Sequence, residues 1–418
     1  MTAPDRQPLV LVVNSGSSSI KYQLLDPVDG VRVASGLVER IGESSSSVAH
    51  TYQDVTTTRE GAIADHEAGL RAVLDLFAEV GPDLATVDVA AVGHRVVQGG
   101  ARFGGAVLVD DWAVKNIDEL SPLAPLHNPA NLAGITVGLE LLPDVPHVAV
   151  FDTAFFRDLP AEAATYAIDR EVAKRHRVRR YGAHGTSHQY VAQQVAKVVG
   201  RPLEELNTIV LHLGNGASAS AVRGGVAVET SMGMTPLEGL VMGTRSGDID
   251  PAVVFHLVRN AGMSVDDVDD LLNRRSGLKG LTGQNDLREV HRLAEEGDED
   301  AREALAVYVH RLKKYVGAYT AVLGRVDVIA FTAGVGENDD VIRARALEGL
   351  EGLGIVVDAA RNAGRKKEAT VISADSSRTT VLVVPTNEEL AIARQAMELV
   401  GREAAADRDE EPAAVGHA

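Results

Sequence analysis

Short apolar segments alternate with polar turns and longer amphipathic segments along this chain. Leu9–Val13 is apolar and rich in β-branched residues, which predicts a buried strand. The polar run Asn14–Ser19 interrupts this pattern, and Ile20–Leu25 resumes it. A similar unit recurs later, where Ile209–Leu213 leads into the turn Gly214–Ser220. The repetition predicts two related halves, each with its own sheet.

A third apolar strand, Val326–Phe331, precedes a glycine-containing turn at Thr332–Asn338. Residues Asp339–Leu350 then have helical spacing, with Asn338 or Asp339 as the capping residue. Further helices are predicted at Glu67–Glu79, Arg302–Leu323 and Glu388–Val400. Strands interleaved with helices predict an α/β fold.

The chain is expected to divide where the predicted strand His147–Phe151 ends. We expect an N-terminal domain of residues 1–151 and a C-terminal domain of residues 152–387. The last helix, 388–401, follows another apolar strand and is expected to pack back onto the N-terminal domain. Residues 402–418 are charged and alanine-rich without periodicity, which predicts a disordered tail.

The composition excludes several classes of protein. The 418 residues include 41 basic and 59 acidic side chains, and the net charge of −18 disfavours nucleic-acid binding. The absence of cysteine excludes disulfides, thiolate metal sites and a cysteine nucleophile. No apolar run approaches the roughly 20 residues of a membrane span, and Met1–Pro8 lacks the pattern of an export signal. We therefore expect a cytoplasmic protein without a membrane partner.

The three turns rich in glycine or serine are candidate phosphate cradles, because they expose backbone N–H groups and hydroxyls. One such turn alone is better explained as a surface hairpin, and Asn14–Lys21 lacks the spacing of a Walker loop. Three turns at strand ends favour a nucleotide bound in a cleft between the two halves.

Two histidines, His184 and His188, lie four positions apart. They do not favour a metal site, because the glutamate of a zinc-protease helix is missing and Gly185 disfavours a helix there. Each is either a structural hydrogen-bonding residue or a donor to developing phosphoryl charge.

Arg95 follows an apolar strand, and Arg245 lies among glycines. A guanidinium grips a carboxylate or phosphate with two parallel hydrogen bonds, although a surface ion pair explains either arginine as well. Asp152 ends a buried strand, where it either caps a turn or orients a substrate or metal.

With these residues in place, the sequence resembles the acetate kinases from about Leu9 to Val400. The two most specific motifs are Val13–Tyr22 and Tyr181–His188. Further motifs match in order at Gly93–Arg95, Leu126–Pro129, Phe151–Phe155, His212–Gly216, Gly243–Asp248 and Pro385–Glu389.

The resemblance implies a duplicated actin-like ATPase (ribonuclease H-like) fold, with two domains around a nucleotide cleft, and a homodimer. It also implies reversible, Mg²⁺-dependent, in-line transfer of the ATP γ-phosphoryl group to acetate, giving acetyl phosphate and ADP, with Mn²⁺ able to replace Mg²⁺. The alternatives are a propionate- or butyrate-type short-chain acyl kinase and an ATP-driven module without acyl substrate. Paired arginines argue against the last, since an ATPase has no second anion to neutralise.

The resemblance also implies roles for residues. Catalysis is implied for Asp152, His184 and Arg245, of which the last two would stabilise the transition state. Substrate binding is implied for Arg95, Val97, Leu126, His127 and Pro236. Asn14 and Glu388 would hold Mg²⁺, largely through waters. ATP contacts are implied for Lys21, His212, Leu213, Gly214, Asn215, Gly216, Asp286, Leu287, Arg288, Gly334, Val335, Gly336, Glu337 and Asn338.

Elementary chemistry agrees with these roles and qualifies two of them. Acetate is already ionised at neutral pH, so Asp152 is expected to orient a cation or a metal-bound water rather than to remove a proton. Glu388 begins a predicted helix, where a carboxylate also favours the helix dipole.

The sequence departs from the family pattern in two places. Position 183 is alanine where the family commonly has an aromatic residue, which predicts room for a longer acyl chain. The segment Gly283–Asp286 is about one residue shorter than in many relatives, so the resemblance assigns the roles of Asp286–Arg288 to within one position.

Overall fold

The computed structural model describes residues 7–125 and 127–410, without the side chains of residues 404 and 406–410. These residues form two compact units. One unit comprises the described residues up to Ala154 and those from Asn387 onward, and the other comprises Phe155–Thr386. Within the described part of the chain, no helix has the length and apolar content needed to cross a membrane.

The first unit contains an eight-stranded mixed sheet. Its strands are β1 (Leu9–Ser15), β2 (Ser19–Leu25), β3 (Arg32–Glu39), β4 (Ser47–Tyr52), β5 (Val55–Glu60), β6 (Val89–Val96), β7 (Val107–Leu108) and β8 (His147–Phe151). The order across the sheet is β5-β4-β3-β2-β1-β6-β8-β7. Strand β1 pairs antiparallel with β2 and parallel with β6, and β6 pairs parallel with β8.

Helices cover this sheet because its strands bury both faces. They are α1 (His66–Val80), α2 (Asp111–Glu119), α3 (Asn128–Leu141) and, after the second unit, the last helix of the chain (Glu388–Glu410). On one face Leu9, Leu11 and Val13 form a core with residues of α1. The other face receives the last helix, where a Cβ on Gly93 would lie 2.7 Å from Ile392 Cγ2. Glycine at position 93 therefore allows this helix to pack closely on β6.

The second unit repeats the central motif of the first. Its strands are β9 (Asn207–Leu213), β10 (Ala217–Arg223), β11 (Val226–Thr230), β12 (Val328–Thr332), β13 (Thr370–Val371) and β14 (Thr380–Val383), in the order β11-β10-β9-β12-β14-β13. Strand β9 pairs antiparallel with β10 and parallel with β12, as β1 does with β2 and β6. The predicted α/β fold of two related halves is confirmed.

Helices pack on both faces of the second sheet as well. Val191 and Val195 pack with Val210 on one face, and Leu305 and Leu312 pack with Leu211 on the other. The helices of this unit are α4 (Ala161–Ala164), α5 (Arg170–Arg175), α6 (Gly185–Val199), α7 (Ala252–Asn260), α8 (Val265–Arg274), α9 (Gly277–Thr282), α10 (Leu287–Glu295), α11 (Glu299–Leu323), α12 (Ala333–Asn338), α13 (Asp340–Leu347) and α14 (Ala359–Asn362), and the last helix of the chain is α15. Short 3₁₀ helices occur at Ser121–Leu123, Ala154–Phe156, Leu203–Glu205 and Glu351–Leu353.

Several local predictions are wrong, and each error has a physical cause. Gly185 begins helix α6, because the cost of glycine applies to the interior of a helix and Gly185 is its first residue. The predicted turn at Gly214–Ser220 ends at Gly216, and residues from Ala217 form strand β10. The predicted turn after β12 is helix α12, whose first N–H, at Ala333, donates to the side chain of Glu337.

Other boundaries agree with the capping chemistry. Asp339 is the cap of α13, and its side chain accepts a hydrogen bond from the Ile342 N–H. Helix α15 extends to Glu410, beyond the predicted end at 401, so the part of the predicted tail up to residue 410 is helical. Residues 411–418 of that prediction lie outside the described residues.

Candidate active site

In the first unit, parallel strands bring Arg95 and Asp152 together. Arg95 lies near the end of β6, opposite Val150 of β8, and Asp152 directly follows β8. The Arg95 guanidinium donates from Nη2 to Asp152 Oδ2 at 2.5 Å and from Nε to Oδ1 at 3.3 Å. The Asp152 side chain is 1% exposed and that of Arg95 is 19% exposed. The buried carboxylate therefore orients the guanidinium through both of its oxygens.

The start of helix α15 adds acidic side chains to this arginine. Glu388 Oε2 lies 3.7 Å from Arg95 Nε, and Glu389 pairs with the Lys21 ammonium. Burial opposes the charged guanidinium, but Asp152 and Glu388 outweigh it and hold the pKa of Arg95 above its ordinary value. Arg95 is therefore a permanent, oriented cation.

Two residues predicted to hold Mg²⁺, Asn14 and Glu388, lie on β1 and α15 of this unit. Asn14 is in β1, paired in register with Lys21 of β2. Glu388 is in the first turn of α15, so the helix-dipole explanation of this residue also holds. Lys21 is already paired with Glu389, so an ATP contact by Lys21 would require it to share or exchange that partner.

Of the predicted acyl-binding residues of the first unit, the structure describes Val97 and His127. Val97 is buried, and its N–H donates to Asn131 Oδ1 at 3.1 Å. His127 is the residue before helix α3, at its N-cap position. Leu126 lies outside the described residues. Asn131 was not predicted from the sequence; it also donates to the Ser15 carbonyl, which links the first polar turn to the strand end of Arg95.

In the second unit, the side chains of His184 and Arg245 both lie close to Gly216. A Cβ on Gly216 would lie 3.0 Å from Arg245 Nη2 and 3.5 Å from His184 Nε2. His184 has a left-handed backbone, with φ of 59°, at the start of helix α6. Such a conformation is strained for a residue other than glycine and is commonly retained at functional sites. The bare backbone at Gly216 thus leaves space in front of both side chains.

Arg245 differs from Arg95 in its surroundings. Its Nη1 donates to the Pro236 carbonyl at 2.8 Å. The predicted residue Pro236 therefore lies next to Arg245. Among the described residues, no carboxylate forms a salt bridge with Arg245. Burial lowers the pKa of this guanidinium from its ordinary value. The half-buried cation is therefore oriented by a neutral group and is suited to an anionic ligand.

The glycine turn after β9 is tied to the loop that carries Arg245. The Gly243 N–H donates to the Asn215 carbonyl at 2.9 Å, and a Cβ on Gly243 would overlap Asn215 Oδ1. The Gly214 N–H donates to the Gly216 carbonyl. Leu213 is fully buried, so its side chain belongs to the core. The glycine turn and the loop that carries Arg245 are therefore joined by a hydrogen bond and a close contact.

His212, at the end of β9, belongs to the same polar region. Its ring stacks on that of His184 with centroids 4.3 Å apart, and its Nδ1 is 2.8 Å from Ser187 Oγ. Ser187 in turn is 2.8 Å from Thr386 Oγ1. Neither Ser187 nor Thr386 was predicted from the sequence, because neither lies near His212 in the chain.

The remaining predicted ATP contacts lie at two helix starts. Asp286 caps α10 and pairs with Arg288, whose side chain is 92% exposed, whereas Leu287 is buried. Helix α12 contains Gly334, Val335, Gly336, Glu337 and Asn338. Glu337 Oε1 accepts hydrogen bonds from the Ala333 and Thr386 N–H groups, and Asn338 Nδ2 donates to the Gly334 carbonyl. These bonds give Glu337 and Asn338 a structural role in addition to any contact with a nucleotide.

Known proteins resemble this chain over nearly its whole length. The model of the acetokinase family matches residues 9–394. The acetate kinase of Streptomyces avermitilis is 59% identical over 394 residues, which cover 94% of this chain and 97% of that protein. The acetate kinase of Clavibacter michiganensis is 59% identical over 390 residues, covering 93% of this chain and 98% of that protein.

Solved structures match the fold as well. The acetate kinase of Porphyromonas gingivalis has a TM-score of 0.89 and 41% identity, covering 94% of this chain and 100% of that one. A propionate kinase from Francisella tularensis has a TM-score of 0.88 and 40% identity, with the same coverage. The same fold therefore occurs in proteins named for different acyl substrates.

Proposed function

Since the chain belongs to the acetokinase family, we propose its function in the terms of that family: it is an acetate kinase, a phosphotransferase with a carboxylate as acceptor. It transfers the γ-phosphoryl group of ATP to acetate, giving acetyl phosphate and ADP, and catalyses the reverse reaction. The family, the two-domain α/β fold and the enzyme class predicted from the sequence are confirmed.

The observation that carries the proposal is the half-buried Arg245 guanidinium, held by the Pro236 carbonyl and facing the bare backbone of Gly216. A cation in this setting favours an anion that arrives with the substrate. We propose that Arg245 and His184 donate hydrogen bonds to the oxygens of the phosphoryl group during transfer. Stabilisation of the charge that develops there would account for most of their effect on the rate.

We propose that Arg95 binds the carboxylate of acetate or the phosphoryl group of acetyl phosphate. Its bidentate partner Asp152 fixes the plane of the guanidinium, so that the groups not bound to Asp152 can serve the ligand. Acetate is ionised at neutral pH, and its attack on phosphorus needs alignment and charge neutralisation rather than a base. Asp152 is therefore a positioning carboxylate in this mechanism.

The residues proposed for Mg²⁺ fit that ion chemically. Asn14 offers an amide oxygen and Glu388 a carboxylate, and Mg²⁺ prefers oxygen ligands while keeping several waters and binding substrate phosphates. No cluster of three or more His, Cys, Asp or Glu side chains suited to a metal occurs among the described residues, which agrees with an ion held largely by water and nucleotide. When bound, Mg²⁺ would neutralise phosphate charge.

We expect Glu388→Gln to raise the Mg²⁺ concentration required for half-maximal activity about tenfold or more. The amide keeps the size of the side chain but removes the charge that would attract the ion. A titration of initial rate against Mg²⁺ at saturating ATP measures this, with Glu398→Gln, on an exposed part of α15, as the control. An unchanged Mg²⁺ requirement in Glu388→Gln would remove this residue from the metal site.

The assignment is tested by acyl-phosphate formation. With ATP, Mg²⁺ and acetate, hydroxylamine should trap acetyl phosphate as the hydroxamate in proportion to enzyme. Product at the level of the enzyme-free control would favour the ATP-driven module, the alternative without an acyl substrate. The same assay with formate, propionate and butyrate ranks the acyl acceptors.

A second candidate activity, phosphorylation of propionate, is favoured by the small side chain of Ala183. This residue is buried in the second unit, between Gly182 and His184. If alanine leaves room beside the acyl methyl group, each additional buried methylene would contribute about 0.8 kcal/mol to binding.

We expect Ala183→Phe to lower kcat/KM for propionate about fourfold relative to acetate, which corresponds to the loss of one such methylene contact. Steady-state kinetics with both acids measure the ratio, and Ala183→Val provides an intermediate volume. A ratio equal to that of the unaltered enzyme in both variants would show that position 183 does not limit acyl length. Thermal unfolding separates this effect from overpacking of the core.

We propose a homodimer. Helix α7 has no buried residue, and its Phe255 and Val253 side chains are 56% and 39% exposed, which makes this face a candidate for contact with a second copy. Light scattering coupled to size-exclusion chromatography should give about twice the chain mass of 44.2 kDa. A monomer mass at micromolar concentration would reject the dimer.

A further inference from the structure

Four hydrogen-bonded side chains, of which His184 is the first, form a row in the second unit. His184 Nδ1 is 2.9 Å from Ser218 Oγ, and His188 Nε2 is 2.7 Å from the same oxygen. Ser220 Oγ is 2.7 Å from His188 Nδ1. We call these four residues the histidine–serine relay. The two serines are two positions apart on strand β10, so both project from the same face, and the two histidines flank the start of helix α6.

The hydrogen atoms of the relay can be placed from its outer end. Ser220 is fully buried, and among the described residues His188 Nδ1 is the hydrogen-bond partner of its hydroxyl. A buried hydroxyl hydrogen needs an acceptor, so Ser220 donates to His188 Nδ1. Burial, assisted by the neighbouring His212, lowers the pKa of His188 well below its ordinary value. The neutral ring therefore carries its single hydrogen on Nε2.

The same reasoning extends to His184. His188 Nε2–H donates to Ser218 Oγ, which leaves the Ser218 hydroxyl hydrogen for a second partner. That partner is His184 Nδ1. If His184 instead carried a hydrogen on Nδ1, Ser218 would receive two donors and its own hydrogen would have no acceptor in the relay. The start of the 15-residue helix α6 also disfavours a positive charge on His184, because the helix N-terminus is itself positive.

We propose that Ser220, His188 and Ser218 are positioning residues that hold His184 as a neutral imidazole with its hydrogen on Nε2. This nitrogen and Arg245 Nη2 border the same space at Gly216. Both then present donors, whereas the opposite tautomer of His184 would present a lone pair. The role in catalysis rests on the proposed function, because the acceptor is an oxygen of the transferred phosphoryl group.

The tautomer is tested directly by nitrogen-15 NMR of the full chain labelled at histidine. We expect His184 and His188 to show a hydrogen on Nε2 and none on Nδ1 at neutral pH, with assignments from Ser218→Ala and Ser220→Ala, which perturb one or both rings. The groups near His184 include His212, Arg245 and, through Ser218, His188, so the spectra are recorded with and without ATP. A hydrogen on Nδ1 of His184, alone or in a charged ring, would overturn the proposal.

Kinetics give the second readout. When the residue that fixes the tautomer of a catalytic histidine is removed, the rate of the enzyme can fall by several orders of magnitude. We expect Ser218→Ala and Ser220→Ala to lower kcat about tenfold or more while the KM for ATP and for acetate change less than twofold. The matched control is Ser231→Ala, which removes another buried serine hydroxyl bonded to β10, at the Ala219 N–H, but leaves the relay intact.

These outcomes separate the relay from the proposed function. Unchanged kcat in both serine variants would overturn the catalytic role. An equal loss of kcat in Ser231→Ala would overturn it too, because the effect would then come from a general loosening of the sheet. An enzyme that forms no acyl phosphate but shows the expected His184 tautomer would refute the proposed activity and support the relay.

Discussion

Replacing Arg95 by alanine is expected to lower kcat/KM for acetate by about 10³ or more, with little change in the KM for ATP. The substitution removes the oriented guanidinium proposed to hold the carboxylate. The reaction should be measured in both directions, because acetyl phosphate is proposed to use the same group. An equal rise in the KM for ATP would contradict the role of Arg95 in acceptor binding.

The same substitution should also destabilise the first unit. Asp152, whose side chain is 1% exposed in the unaltered protein, would lose the guanidinium that neutralises its buried charge. Breaking a buried ion pair costs about 3–5 kcal/mol. Urea unfolding measures the change. The double variant Arg95→Ala/Asp152→Asn should recover much of the stability without recovering activity, because it removes both charges.

The control for these measurements is Arg102→Ala. Arg102 also pairs with a carboxylate in the first unit, Glu119, but both side chains are substantially exposed, at 34% and 42%. Surface ion pairs contribute about 0–1 kcal/mol. Arg102→Ala should therefore leave kcat and the unfolding midpoint nearly unchanged. If Arg102→Ala reduced kcat/KM as Arg95→Ala does, a general effect of removing positive charge would replace the specific role of Arg95.

Replacing Arg245 by alanine is expected to lower kcat about 10²–10³-fold in both directions, with the KM for ATP and acetate altered less than about threefold. The reason is that this cation is proposed to act on charge that develops during transfer rather than on the bound substrates. Arg245→Lys should retain part of the rate, because the charge remains but the planar fork that contacts the Pro236 carbonyl is lost.

Stability should respond differently at the two arginines. Burial lowers the pKa of Arg245, so the folded protein disfavours its charge, and no described carboxylate forms a salt bridge with it. Arg245→Ala should therefore unfold at a urea concentration equal to or above that of the unaltered protein. Arg223→Ala, at the exposed end of β10, is the control for activity. A rise in the KM for ATP with kcat unchanged would show that Arg245 only binds the nucleotide.

The contrast between Arg95 and Arg245 was invisible in the sequence, where each appeared as an arginine near glycine. Parallel pairing of β6 with β8 places Asp152 beside Arg95 although 57 positions separate them. Arg245 lies 9 positions from Pro236 in the connection between β11 and α7, whereas Gly216 comes from the turn after β9. Which strands are adjacent depends on how the helices between them pack, and local sequence does not specify that.

The two serines of the histidine–serine relay lie in a segment whose sequence pattern is that of a strand, although we predicted a turn there. Ala217–Ala221 alternates alanine with serine at the period of a strand. Such alternation predicts one apolar and one polar face, but the preceding glycines favoured a turn over the whole segment. In the structure both serines are fully buried, because each hydroxyl finds a histidine on α6.

The sequence by itself determined the elements and the family. Runs of β-branched residues, alternation of apolar positions and acidic caps are local properties, and the motifs around Asn14, Tyr181 and Gly214 are long enough to identify relatives. Only the tertiary structure decided which polar groups meet: Asp152 with Arg95, Ser218 with two histidines, and Pro236 with Arg245. The reason is that a hydrogen bond depends on separations of about 3 Å in space, whereas the sequence records only the order of residues along the chain.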